Sequence, residues 1–247
     1  MQVQRVSRQR RSGLPLAACG CLGLLGIVGV AVVVGLVVLL PALPGIAAQI
    51  AGFAPSGSVE SAFSAPPPAA PVIQEAQPVE QVTINLGDYG VQVIQNEPTL
   101  YDFTIGTAGG TNAAAVTFTE AGLLDLCRQR TTLCANQNPQ IQNVALDLRP
   151  NGMVVYADAT LPQLGGASQR LGAVLRVDGS GRRLTFVGLD IDGALFVNPP
   201  GELAGLVDQV EAGANDLLNT LTVQASGVPY ALVRIIIDDT TATLFLQ

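Results

Sequence analysis

The sequence carries few of the side chains on which enzymes rely. Its 247 residues include no histidine, and all twelve basic residues are arginine. The absence of histidine excludes a Ser-His-Asp relay and an imidazole metal ligand, and the absence of lysine excludes a Schiff base. Two acidic pairs, Asp190 with Asp192 and Asp238 with Asp239, lack the several oxygens at fixed spacing of a calcium loop. We therefore expect solvated turn and strand ends there, no metal, no cofactor and no enzymatic activity.

Cys127 and Cys134 are the two cysteines of the second half of the chain. In one continuous helix their Cα atoms would be about 10 Å apart, which is too far for a disulfide. If the chain turns near Thr131, the pair would close a small loop. The alternatives are a disulfide or two buried or free thiols, while a zinc site is not expected from two cysteines without histidine.

A long apolar segment precedes every acidic residue of the chain. Residues 14–40 would form a helix about 40 Å long, enough to cross a hydrocarbon core of about 30 Å. Because four arginines precede this segment, the positive-inside rule predicts a single-pass cell-membrane protein with a cytoplasmic N-terminus and an extracytoplasmic C-terminal domain. The alternative is a cleaved signal peptide, whose apolar region normally has only about 7 to 15 residues.

The pattern divides the chain into five parts: a basic cytoplasmic tail (1–13), a transmembrane anchor (14–40), an apolar exit segment (41–54), a linker rich in Pro, Ala and Ser (55–81) and an extracytoplasmic domain (82–247). Beyond the anchor, nineteen acidic residues face eight arginines, which gives a net charge of minus eleven. This balance argues against a nucleic-acid partner. Glycines within the anchor have spacings that would allow an anchor-mediated dimer.

Hydrophobic periodicity predicts an α+β domain. A helix is expected to begin after Thr119 as N-cap. Four strands follow in the ranges 141–149, 153–161, 169–177 and 184–192, and their short turns favour an antiparallel meander. After Pro199 and Pro200, apolar residues at helical spacing predict a long amphipathic helix of about five turns. Residues 232–237 and 241–246 are expected to form a closing hairpin.

This order of elements resembles the bacterial single-pass relatives of the tubular lipid-binding (TULIP, BPI-like) superfamily, including YpmS-like and LmeA-like envelope proteins. The resemblance covers residues 113–247 and is carried by VTFTEAGLLDL (116–126), LRPNGMVVYADATLP (148–162) and VRIIIDDTTATLFL (233–246). It implies a curved antiparallel sheet wrapped around the long amphipathic helix, with an apolar groove that accepts acyl chains.

We therefore expect a membrane-anchored, extracytoplasmic lipid-binding protein that binds or transfers an apolar envelope molecule in a groove between helix and sheet. The residues expected to line the groove are Leu203, Leu206, Val207, Val210, Leu217, Leu218, Leu175 and Phe186. The alternative is a non-enzymatic structural or interaction module of the cell envelope, with a filled core and a protein partner.

Overall fold

The structure, a computed structural model, describes residues 55–66, 68–85, 91–130, 134–137, 141–160, 168–197 and 201–247. Within these ranges the chain forms fourteen strands and three helices. The helices are α1 (Val59–Ala62), α2 (Glu120–Arg130) and α3 (Gly201–Thr220). The strands are β1 (Gly57–Ser58), β2 (Gln74–Pro78), β3 (Gln81–Asn85), β4 (Val91–Gln95), β5 (Tyr101–Ala108), β6 (Thr111–Thr119), β7 (Ile141–Arg149), β8 (Gly152–Thr160), β9 (Ser168–Val177), β10 (Leu184–Ile191), β11 (Ala194–Phe196), β12 (Thr222–Ala225), β13 (Val228–Ile237) and β14 (Thr241–Leu246).

The strands form two sheets whose paired strands all run antiparallel. The six-stranded sheet has the order β1-β11-β10-β9-β8-β7, and the eight-stranded sheet has the order β2-β5-β6-β14-β13-β12-β3-β4. Strands β7 to β10 are the expected meander, in which each strand pairs with the next along the chain. Strands β13 and β14 are the expected closing hairpin, and β14 also pairs with β6. The meander and the closing hairpin therefore lie in different sheets.

One hydrophobic core joins the two sheets. It contains Phe103 and Phe118 from the eight-stranded sheet, Met153 and Leu175 from the six-stranded sheet, and Leu123 from α2, all of them almost fully buried. Helix α3 contributes Val207, Ala214 and Leu218 to the same cluster. Most of the buried side chains come from strands, because the inner faces of the two sheets bury each other's alternating apolar residues.

The prediction of an α+β domain whose sheet wraps around a long amphipathic helix is wrong. The described chain is mainly β-structure, and its core takes side chains from two sheets rather than from one helix and one sheet. Among the described strands, β10 is the main neighbour of helix α3, and α3 is not the axis of the fold. The apolar stripe of α3 does not distinguish the two arrangements, because a helix that covers one side of a β-core has the same apolar periodicity as a helix enclosed by a sheet.

The membrane helix expected at residues 14–40 lies outside the described residues, as do the basic tail and the exit segment. Among the residues that the structure describes, no helix is long and apolar enough to cross a bilayer. The expectation of a transmembrane helix therefore has no support in the described fold.

The range 55–81, which was expected to be a linker, contributes structure to the domain. Strand β1 pairs with β11, and β2 pairs with β5. Val59 and Phe63 are buried on the outer face of the six-stranded sheet against Val154, Val174 and Leu195. These contacts could not be predicted from the proline-rich sequence, because two apolar side chains in a polar segment give no periodic signal.

Helix α2 begins where the sequence predicts. The backbone N–H of Gly122 donates to Oγ1 of Thr119 at 3.1 Å, so Thr119 is the N-cap. The carboxylate of Glu120 accepts the backbone N–H of Leu148 at 2.7 Å. The first turn of α2 is thereby tied to strand β7 and connects the two sheets.

Candidate ligand-binding sites

Four of the eight expected groove residues have described side chains. Leu175, Val207 and Leu218 are buried in the main core, and Phe186 is half-buried against it. Phe186 and Leu175 are directly opposite each other on neighbouring strands β10 and β9. The side chains of Leu203, Leu206, Val210 and Leu217 lie outside the described part of the molecule. The described members thus form one apolar region, with Phe186 at its rim.

Helix α3 is attached to β10 by polar contacts next to this region. The side-chain amide of Asn215 accepts the backbone N–H of Leu184 and donates to the carbonyl of Leu184, each at 2.9 Å. Oε2 of Glu211 accepts the backbone N–H of Phe186, also at 2.9 Å. Asn215 is itself buried, with 9% of its surface exposed.

The hydrogen bonds of Asn215 and Glu211 are made to a part of β10 that has no described neighbouring strand on that side, which we call the open part of β10. Strand β11 pairs with β10 only at Leu189, Asp190 and Ile191, so among the described residues no strand covers that side of Leu184 and Phe186. Backbone groups without a partner are costly when buried. The side chains of α3 satisfy them in place of a neighbouring strand.

Cys127 and Cys134 form a disulfide, with Cα atoms 5.7 Å apart and both residues buried. The bond ties the last turn of α2 to the segment after it. Tyr101 on β5 donates its phenolic hydrogen to Asp125 of the same helix at 2.5 Å. Burial is the larger cause and this hydrogen bond the second cause of a pKa of Tyr101 well above its usual range, so the phenol stays protonated. Both contacts stabilise α2 against the β-core.

The carboxylates singled out in the sequence have structural partners. Asp190 was expected to be solvated, but it is 5% exposed and accepts hydrogen bonds from Tyr156 Oη at 2.8 Å and from the backbone N–H of Gly193 at 2.7 Å. Asp238 accepts the backbone N–H groups of Thr240 and Thr241 and so holds the turn between β13 and β14. Among the described residues no three acidic, cysteine or histidine side chains come together as a metal site would require.

A cavity that was not expected from the sequence lies where the two sheets meet. Its volume is about 290 Å³, and its wall includes Pro66, Asn151, Arg176, Ser180 and Arg234. A second hollow of about 480 Å³ lies beside β3 and β12, between residues such as Glu80, Thr83 and Gln224. Neither contains a residue of the expected groove. Local periodicity gives no signal for the first cavity, because its residues come from four separate stretches of the chain.

Comparison of the chain with protein-family models, with curated proteins and with solved structures gives no match.

Proposed function

We propose that the protein binds an apolar envelope molecule, of the acyl-lipid class, between helix α3 and strand β10. The observation that carries this proposal is the seam at the open part of β10, which α3 covers through Asn215 and Glu211. Helix α3 also buries Val207, Ala214 and Leu218 in the core, but only side-chain hydrogen bonds join it to the backbone of β10, so fewer backbone contacts must break for it to separate than for a paired strand.

Apolar surface at this seam supports the proposal. Phe186, Leu189 and Ile191 of β10 pack on the main core but remain half-buried. Apolar side chains that are only partly covered gain free energy, about 25 cal/mol per Å², when a ligand removes the rest of their surface from water. A ligand inserted between α3 and β10 would cover Phe186 at the open part of the strand, and the buried core beneath Phe186 would form its floor; Leu189 and Ile191 follow on the same strand, where β11 pairs with it.

The disulfide supports an extracytoplasmic location. Disulfides persist in oxidising compartments and are rare in the cytosol. The Cys127–Cys134 bond lies inside the β-domain and is buried, so it belongs to the folded unit that carries the seam. We therefore propose that the domain acts on the outer side of the cell membrane.

Photocrosslinking with a diazirine-labelled fatty acid tests the binding site in the full-length protein. We expect labelled peptides from β10 and α3, and at least tenfold less label there in Phe186→Arg, since a guanidinium at the seam repels an acyl chain. Ala212→Arg is the matched control, because Ala212 is exposed on α3 and receives the same charge away from the seam. Thermal unfolding followed by circular dichroism identifies a variant that fails to fold.

The proposal fails if a folded Phe186→Arg protein is labelled like the wild type, or if the label maps only outside β10 and α3. Equal losses in Phe186→Arg and Ala212→Arg would also contradict it, because the effect would then follow the added charge and not the seam.

A second candidate, an interaction module, is favoured by strand β4. This strand ends the eight-stranded sheet, and its Val91 and Val93 are 65% and 55% exposed. The strand at the opposite end, β2, contains Glu75 and Pro78 and has an irregular register, which are features that block pairing with another chain. Strand β4 has no charge and no proline. We propose as the alternative that it accepts an extended segment of an envelope protein by strand addition.

Charge favours a basic partner over a second copy of this chain. The part of the chain from residue 41 onward has a net charge of minus eleven, from nineteen acidic residues and eight arginines. Two such domains repel each other, whereas a segment with positive residues beside its apolar strand is attracted.

A further inference from the structure

The cavity between the sheets concentrates positive charge in an acidic domain. Of the eight arginines after residue 41, five lie on β9, on the turn after it or on β13, namely Arg170, Arg176, Arg182, Arg183 and Arg234. Two of these, Arg176 and Arg234, line the cavity itself. A pair of cations in a concave site raises the local concentration of anions, even when the whole domain is negative.

Arg176 has a buried hydrogen-bond donor without an acceptor. Its neighbours Leu175 and Val177 are buried in the core, so the Arg176 side chain projects from the opposite face of β9. Its Nε atom is inaccessible to water and has no hydrogen-bond partner among the described residues. An unsatisfied buried donor of this kind is uncommon and costs free energy, and it pairs with an anion only if the Arg176 side chain turns its Nε toward the cavity.

Arg234 lines the same cavity from β13, where the turn that follows β9 contacts it. The backbone N–H of Ile235 donates to the carbonyl of Gly181 at 2.6 Å, so the turn lies on β13. A Cβ at Gly181 would come within 3.0 Å of Arg234 Cγ, and Gly181 has a φ of +72°. Glycine is therefore needed both for the turn conformation and for the close approach of Arg234.

The one acidic residue of the cavity wall, Asp178, makes no ion pair with these arginines among the described residues. The carboxylate of Asp178 accepts hydrogen bonds from Ser180 Oγ at 2.7 Å and from the backbone N–H groups of Arg182 and Arg183 at 3.3 Å. The ion pairs found among the described residues join Arg149 to Asp147 and Arg170 to Asp158, both outside the cavity. The guanidinium groups of Arg176 and Arg234 are therefore not held in an ion pair, and with Asp178 the charged residues of the wall sum to plus one.

We propose that this cavity binds a phosphate group, as inorganic phosphate or as the phosphodiester of a lipid headgroup. Guanidinium groups bind phosphate oxygens through paired, charge-assisted hydrogen bonds, which fits two arginines facing one cavity. Asn151 donates to the carbonyls of Ala65 and Pro66 at 3.3 and 2.9 Å and so fixes the wall opposite the turn. The site does not use the seam of α3 and is independent of the proposed apolar groove.

Calorimetric titration of the full-length protein with inorganic phosphate and with glycerophosphoglycerol, the deacylated headgroup diester, tests this site. We expect saturable binding of at least one probe and at least tenfold weaker binding in both Arg176→Gln and Arg234→Gln. Arg170→Gln is the matched control, because it removes an equal charge from the same strand β9, at an exposed ion pair. Arg176→Lys, which keeps the charge but loses the fork of donors, is expected to bind at an intermediate level.

The two probes separate the sources of the phosphate group. Tighter binding of the diester indicates a headgroup, and tighter binding of inorganic phosphate indicates the free ion. The proposal is overturned if neither probe saturates, or if Arg170→Gln weakens binding as much as folded Arg176→Gln and Arg234→Gln, since binding would then follow net charge alone.

Discussion

The side chain of Asn215 pairs with the backbone of Leu184 in the way that one residue of a neighbouring strand would. It accepts the N–H and donates to the carbonyl, both at 2.9 Å, and it does so from a helix. Leu184 itself is 1% exposed. Because water has little access to these backbone groups, the satisfaction of the Leu184 backbone in the open part of β10 depends on a single amide side chain of α3.

Replacing Asn215 by Ala is expected to destabilise the fold by about 2–4 kcal/mol, because two buried backbone groups of Leu184 lose their partner. Urea unfolding of the full-length protein measures this change. Asp216→Ala is the control, since Asp216 is exposed and its side chain makes no hydrogen bond among the described residues. Similar midpoints for the two variants would show that Asn215 does not hold β10.

Removal of the disulfide through Cys127→Ala and Cys134→Ala is expected to lower the free energy of unfolding by about 2–3 kcal/mol. The loop that the bond closes is short, with a sequence separation of 7, so the entropic effect on the unfolded chain is at the lower end of the usual range. Denaturant unfolding measures the loss, and peptide mapping without reductant checks that the two cysteines are joined in the wild type. An unchanged midpoint would mean that the contact of Tyr101 with Asp125 holds α2 without the bond.

Local sequence patterns were sufficient for the meander β7–β10, the N-cap at Thr119 and the closing hairpin. In each, apolar residues alternate or a cap residue precedes a helix, and the turns are short and polar. These signals lie within a few residues of the structure that they specify, so no distant partner is needed to interpret them.

The hairpin of β5 and β6 was missed for the opposite reason. It is rich in Ala, Thr and Gly, and this composition gives little apolar periodicity. A Cβ at Gly106 would lie 2.4 Å from the carbonyl oxygen of Gln74, so glycine is there because β2 approaches β5 closely. Such a contact joins residues more than thirty positions apart. Arg176 and Arg234, which line one cavity, are even more distant in sequence, and local periodicity carries no information about their proximity to that cavity.

Acid is expected to weaken the turn held by Asp238. Burial alone would raise the pKa of this carboxyl, but the hydrogen bonds from Thr240 and Thr241 outweigh burial and hold the pKa below its ordinary value of 3.8. Because the pKa is lower in the folded than in the unfolded state, the ionised carboxylate stabilises the fold above pH of about 4. This stabilisation is lost as the pH falls through the pKa of the folded state. Asp238→Asn should therefore be less stable than the wild type at pH 7 and should lose less stability between pH 5 and pH 2.

Urea midpoints measured across this pH range test the sign of the effect. Asp239→Asn is the matched control, because the neighbouring carboxylate makes no hydrogen bond among the described residues. A pH dependence of Asp238→Asn as steep as that of the Asp239→Asn protein would contradict the assignment of Asp238 as the group that holds the turn.

The proposed interaction module depends on the exposed edge strand β4. A synthetic peptide with alternating valine and threonine between arginines is expected to bind the full-length protein at least tenfold more tightly than the same peptide between glutamates, because the domain is acidic. Fluorescence anisotropy of the labelled peptides measures both affinities. A version with N-methylated backbone amides should not bind, since strand addition depends on main-chain hydrogen bonds.

Lysines at Val91 and Val93 should abolish binding of the arginine-flanked peptide, because charged residues on an edge strand are the usual protection against pairing and here they also repel the peptide. Val72→Lys is the matched control: Val72 is 77% exposed, lies outside the paired strands and receives the same kind of charge. Binding that survives the N-methylated backbone, or that falls as much in Val72→Lys as in the β4 variant, would mean that the peptide is held by charge alone. The exposed valines of β4 would then have no part in recognition, and the apolar seam of α3 would remain as the candidate functional surface.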